Sequence, residues 1–326
     1  MFLKLFQTNS YTMYGADTDE LLERISNIED ESLNIGELDI HSLPVLPNTL
    51  KYLNCSNTNI RYISDLPDSL TTLYCNDCEL LKFIRLPDHI DRFDCSNSSV
   101  EFIVNYPSSL KMLNVSNTYI EILHELPKEL TILDCSMCTN LYDLPNLPDT
   151  LQSLICYETR ILELPKLPDS LIELDCSNTM IKKLPTLPAK LEWLYCSSTL
   201  ITYLPILPTG LNGLFCDNTY VWELPTLPKY LNTLNCTNTK ISVLPELPKI
   251  LFSLKIKNTH LLIKPNKNEQ IEDYEDRWKP IRIEQEVLRT TERVNSLKEE
   301  LIAFIMHPDR IQTLVDTYGI EILENF

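Results

Sequence analysis

The sequence predicts a solenoid of the α/β class. A curved parallel β-sheet forms its concave face, its convex side is extended and polyproline-like, and helical caps close both ends. Three observations predict it. The first is a period of 20 residues, plainest between Leu164 and Leu254, which reads Leu-Pro-x-Leu-Pro-x-x-Leu-x-x-Leu-x-Cys-x-x-Thr-x-Ile/Val. A fixed period of this length marks stacked units that cannot bury their apolar side chains alone. The second is a column of cysteines in step: Cys55, Cys75, Cys95, Cys135, Cys156, Cys176, Cys196, Cys216 and Cys236, with Ile35, Val115 and Ile256 in the same slot. The third is the doubled proline of each unit, such as Pro185 with Pro188. Proline locks φ near about −65° and removes a backbone donor, which favours an extended return path.

Taken in order, the chain divides into three parts. Residues 1–32 are expected to be an N-terminal helical cap. Asp17-Thr18-Asp19-Glu20 leads into Leu21, Leu22, Ile25 and Ile28, which reads as a capped amphipathic helix over residues 18–29. The opening Met1-Phe2-Leu3-Lys4-Leu5-Phe6 is too short for a secretion signal and is broken by Lys4.

Residues 33–264 hold about 12 rungs. Leu174 and Cys176 are two apart and point to one side of a short strand, while residues 173 and 175 point to the other. Ile181, Leu184 and Leu187 turn inward from the loop. A second column runs Thr58, Thr118, Thr159, Thr179, Thr199, Thr219, Thr239 and Thr259, with Cys78, Ser98 and Cys138 in the same slot. The wording resembles the leucine-rich repeat, which usually has Asn in this slot to bridge backbone groups of adjacent rungs, and the resemblance implies that a Thr hydroxyl does a weaker version of this. The one slip is the 21-residue step from Cys135 to Cys156, with the extra residue between Cys138 and Leu141.

Residues 265–326 are expected to be a C-terminal helical domain. A short helix over 269–278 should stop at Pro280. Ile283, Val287, Val294, Leu297, Leu301 and Ile305 then mark a long amphipathic helix, and His307-Pro308-Asp309 starts another.

The repeat wording resembles the leucine-rich repeat, and its Leu-Pro doublets resemble the short LPX subtype found in bacterial effectors. That resemblance implies a binding scaffold. Some LPX effectors carry a C-terminal ubiquitin-ligase domain with a nucleophilic cysteine. Here the last cysteine is Cys236, inside the array, so that activity does not carry over. The segment from Phe304 to Ile311 resembles one near the ends of many giant-DNA-virus proteins of the mimivirus kind, which implies a life inside an infected host cell.

Composition narrows the function further. The net charge is −18, and no basic stripe exists for a phosphate backbone, so no nucleic-acid partner is expected. No apolar run reaches 18 residues, so no membrane span is expected. Stacked cysteines near 4.8 Å apart lie beyond the roughly 3.5–4.5 Å between disulfide Cβ atoms. The column therefore implies reduced thiols and a cytoplasmic, not secreted, protein. Cys75-x-x-Cys78 and Cys135-x-x-Cys138 look like half zinc sites but lie three rungs apart, and each cysteine fills an ordinary repeat slot. His41, His89, His124, His260 and His307 share no metal or triad spacing. No phosphate loop or nucleophile elbow is present. No catalytic residue, metal or cofactor is expected.

What remains is a surface. In the frame of the repeat, Trp193, Tyr195 and Phe215 adjoin on the concave face, exposed, with Gly213 leaving a hollow beside them and Glu173 and Asp175 adding negative charge. These five residues are the expected protein-binding site. The reading is a non-enzymatic scaffold for a protein partner. Its rivals are an adaptor for host ubiquitination through the tail and a structural virion component.

Overall fold

The computed structural model describes residues 15–28, 30–261 and 271–305. Two compact units divide at residue 264, Met1–Lys264 and Pro265–Phe326.

The first unit is the array. Twelve short strands pair in parallel in sequence order, from Ser32–Asn34 to Ser253–Lys255. Each strand is three residues long, and the period sets its register: Leu174 pairs with Leu194, Leu194 with Leu214, Leu214 with Leu234. The middle residue of each strand faces the core, as the alternation requires. All eleven cysteines are free and buried, and Ile181, Leu184 and Leu187 are buried beside them.

Each proline of the doublet has its own task. The second opens a tight turn in every rung: its carbonyl accepts from the N–H three residues on, as from Leu171 to Pro168 and Leu191 to Pro188, both at 3.1 Å. The first, where present, denies the convex side a strand bond. In four early rungs another residue holds its place: His124 in one, where no strand forms, and Ser64, Arg85 and Val104 in the other three. There a second, three-stranded parallel sheet forms from Tyr62–Ile63, Phe83–Ile84 and Phe102–Ile103. Arg85 donates to Ile63 O at 3.1 Å and Val104 to Ile84 O at 2.9 Å. A proline there has no proton to give. The convex side is thus extended in the later rungs and partly a sheet in the early ones, which corrects the uniform polyproline path.

Every rung from the second to the last turns on one non-glycine residue in the left-handed region, with φ between 52° and 58°. Seven of these eleven are asparagine: Asn57, Asn97, Asn117, Asn178, Asn218, Asn238 and Asn258. Asparagine tolerates this conformation better than other side chains. Some of these amides also link neighbouring rungs, Asn238 to Asn218 at 2.6 Å and Asn258 to Asn238 at 2.8 Å.

The threonine column does something other than expected. Each hydroxyl donates within its own rung, to the carbonyl three residues back: Thr179 to Cys176 O at 2.7 Å, Thr199 to Cys196 O at 2.8 Å. The bridging between rungs is done where cysteine stands in the slot. Cys78 donates to Cys55 O at 3.3 Å and Cys138 to Val115 O at 3.0 Å. The longer C–S bonds carry the donor to the neighbouring rung.

At the N-terminal end, helix α1 (Thr18–Ser26) carries Asp19 and Glu20 in its first turn and buries Leu21 completely. Asp17 does not cap it by side chain. Its carboxylate accepts instead from the Asp39 N–H at 2.7 Å, tying the helix entry to the first rung. Arg24 donates to Asn34 O at 3.0 Å, covering a carbonyl of the first strand.

In the second unit, helix α2 (Ile271–Ile305) runs unbroken with Pro280 inside it. This corrects the expected stop at Pro280. Proline loses one intrahelical bond and meets the preceding turn, but flanking packing can override that. Here Tyr274, Trp278 and Arg282 are buried around it, and Arg282 pairs with Glu275. The expected helix after His307 lies outside the described residues.

Candidate protein-binding face

The concave face is built from the outward residues of the strands, two per rung. Their chemistry follows from the turn that comes next. In seven rungs the last strand residue is Asn or Asp. Its side-chain oxygen accepts from the backbone N–H two residues on: Asn34, Asn54, Asp94, Asn114, Asp134, Asp175 and Asn235, at 2.9–3.3 Å. This Asx-turn steadies the chain as it leaves the strand. The carboxylates of the face therefore have a structural use for one oxygen. Asp94 also accepts from Asn114 Nδ2 through its second oxygen, at 3.1 Å.

Five rungs give that device up, with Tyr74, Ile155, Tyr195, Phe215 and Lys255 at the end of the strand. Tyr195 and Phe215 are on adjacent rungs and pair directly in the sheet. Their rings stack with centroids 4.6 Å apart and an interplanar angle of 14°. Trp193, on the same strand as Tyr195, stacks on it at 6.3 Å and 11°. The structure thus brings Trp193, Tyr195 and Phe215 together, but half-buried rather than exposed, because each ring covers its neighbour. Nor is there a hollow at Gly213. The Trp193 indole lies over it, and a Cβ at residue 213 would come within 2.5 Å of Trp193 Cε3. Glycine is needed there for the close approach of the ring.

Glu173 and Asp175 lie one rung away, paired in register with Trp193 and Tyr195. Both are half-buried. Burial pushes the Asp175 carboxyl up from its ordinary value, with Glu173 and Asp134 adding to the push, against the pull of two bonds from Ser177. Burial, with Glu173 and Asp175 adding to it, raises the Tyr195 phenol. Glu173 accepts from Ser153 Oγ at 3.1 Å. A partly desolvated carboxylate beside like charges is stabilised by a cation. The arrangement is an aromatic platform with an acidic border, suited to a basic group held next to an apolar one.

Among the described residues no group of three or more His, Cys, Asp or Glu side chains is placed to hold a metal ion. No described helix is long and apolar enough to cross a membrane. His41, His89, His124 and His260 lie apart on separate rungs, and His307 falls outside the described residues. The Asx column was readable in the sequence as Asn or Asp one residue before the Cys slot, and so were its departures, Tyr195 and Phe215 among them. Only the bonds show that the column serves the turn.

No family model matches the chain, and no curated protein matches it. Solved structures do. The chain is similar to YopM, a leucine-rich effector protein of Yersinia pestis, at 25% identity, covering 83% of this chain and 96% of that one with a TM-score of 0.56. It is also similar to the functional domain of InlJ from Listeria monocytogenes, which includes a cysteine ladder. That match has 23% identity, 73% and 55% coverage and a TM-score of 0.62. The fold is a leucine-rich-repeat solenoid.

Proposed function

We propose that this leucine-rich-repeat solenoid is a non-enzymatic scaffold that binds a protein partner on its concave face, through Trp193, Tyr195, Phe215, Glu173 and Asp175. One observation carries the reading. On two adjacent rungs of this face three aromatic rings, Trp193, Tyr195 and Phe215, stack in a continuous run, with Glu173 and Asp175 on the next rung. Neither ring at the end of its strand makes the turn bond that Asn or Asp makes in seven other rungs, so a contact with something outside the chain is the use we assign to the stack. Stacked aromatics with an adjoining charge are the chemistry of binding hot spots. The partner offers an arginine or lysine beside an apolar group. The similarity to YopM, a leucine-rich effector protein, supports a binding role. Within this proposal the repeats are of the LPX subtype and the protein acts in the cytoplasm of a virus-infected host cell. The support for that setting is the wording of residues 304–311 and a column of thiols held reduced.

The test is capture of partners from the host cell with the parent chain and with Trp193→Ala/Phe215→Ala. The partner should bind the double variant more weakly by about 2 kcal/mol, roughly thirtyfold. The exposed convex pair Lys166→Ala/Thr186→Ala should bind like the parent. Since the rings support one another, the melting temperature of each variant is measured alongside. A partner that binds the folded aromatic variant as tightly as the parent removes the proposed site.

A further inference from the structure

Helix α2 carries a seam whose aliphatic residues are exposed. Ile283, Val287, Thr290, Val294 and Leu297 follow one another at steps of four, three, four and three residues. In the sequence the same steps continue to residues 301 and 304. This is a heptad repeat, with a mean step of 3.5 residues, rather than the broader stripe of a helix lying on a globular core. The four aliphatic residues of the seam are 52%, 60%, 44% and 55% exposed in chain order. Every described residue from 290 to 299 is exposed, so this stretch of helix meets solvent around its whole circumference. A helix in that state has little to hold it beyond its own propensity.

We propose that two copies of this chain associate through this seam as a two-stranded coiled coil. A heptad stripe is self-complementary: a second identical helix supplies the facing holes for each knob under a two-fold axis. Val287 and Val294 occupy one seam position and Ile283, Thr290 and Leu297 the other. Valine at the first position with leucine at the second favours two strands in a parallel pair, and Val294 with Leu297 supplies that combination. In that pair Lys279 of one copy lies beside Glu284 of the other, twice by symmetry. Arg293 falls beside Lys298, also twice, so the flanking charges offset each other and the apolar seam holds the pair. Thr290 at a seam position weakens the pair, and the seam is short, which places the dissociation constant in the micromolar range.

Sedimentation equilibrium of the full chain, over roughly 1–200 µM, measures the association directly. The expected result is a reversible monomer–dimer equilibrium. Val294→Glu with Leu297→Glu should weaken it by about thirtyfold or more, because charge would be buried in the seam. Leu288→Glu, exposed but off the seam, should leave it unchanged. The array should melt at the same temperature in all three. A parent that stays monomeric across the range overturns the proposal, whether the seam is covered by residues 306–326 or left bare. So does a Val294→Glu/Leu297→Glu variant that pairs as well as the parent, since pairing would then run through another surface.

Discussion

A buried thiol is a small apolar group with a latent charge. In this chain eleven of them lie in one core, and burial pushes every one upward, Cys236 to about 12 and most others well above their ordinary value. In the unfolded chain they titrate near about 8.5. The folded state therefore holds its thiol protons after the unfolded state has lost them. Their contribution to stability is complete below about pH 8.5 and is lost as pH rises toward the folded values, at roughly 1.4 kcal/mol per pH unit for each thiol. Guanidinium melts should give equal stability at pH 6.5 and 7.5 and a steep fall between pH ~9 and ~10.5. Equal midpoints at pH 7.5 and 10.5 would show that the thiols ionise alike in both states. At a single position, Cys176→Val should change stability by less than about 1.5 kcal/mol, because Val115 already fills this slot in another rung. Cys176→Asp should cost more than about 4 kcal/mol by burying an unpaired charge. The inward place of these cysteines was legible, since it follows from a strand period of two. The direction of the threonine hydroxyls was not. A hydroxyl can reach its own rung or the next, and only the turn after each strand decides.

Among the elements, the convex path shows how one missing proton reshapes a rung. Where Val104 stands, its N–H pairs with Ile84 O at 2.9 Å and a strand forms. Where Pro165 or Pro185 stands, no such pairing is available. Val104→Pro should thus destabilise by about 1 kcal/mol, the worth of one hydrogen bond, and leave the array folded. Thr233→Pro, which deletes the bond to Asn212 O inside the concave sheet, should cost about 3 kcal/mol or more. Thermal melts of the two variants check the contrast, and equal shifts would mean that the convex sheet matters as much as the concave one. The small sheet escaped the sequence reading because its one signal is the lack of a proline, which the His124 rung shares without forming a strand. Pro280 misled it in the opposite sense, since helix propensity yields to packing around Tyr274 and Trp278. The binding face was half legible. Register alone made Trp193, Tyr195 and Phe215 neighbours, but whether rings stand out or lie on one another is a matter of rotamers, which a periodicity does not contain.

For the array as a whole, we propose that α1 covers the first rung. It buries Leu21 there and sets Arg24 on a carbonyl of the edge strand. Deletion of residues 1–31 should bare that edge and the side chains of Leu33 and Ile35, and the truncated chain should aggregate or lose its first rungs. Light scattering and hydrogen exchange of the early rungs are the measurements. A monomeric product with an unchanged melting temperature would show that α1 is an ornament rather than a cover. The ladder beyond it has a mechanical side. From the second rung to the last, each unit is fastened to the next by nearly the same backbone bonds, and its turn is set by one left-handed residue rather than by a flexible glycine. A pull on the two ends of the array therefore meets no single weak joint inside it. The load reaches an end rung first and opens it like a zip, paying out about 20 residues, some 65–70 Å of slack, before the next one bears the strain.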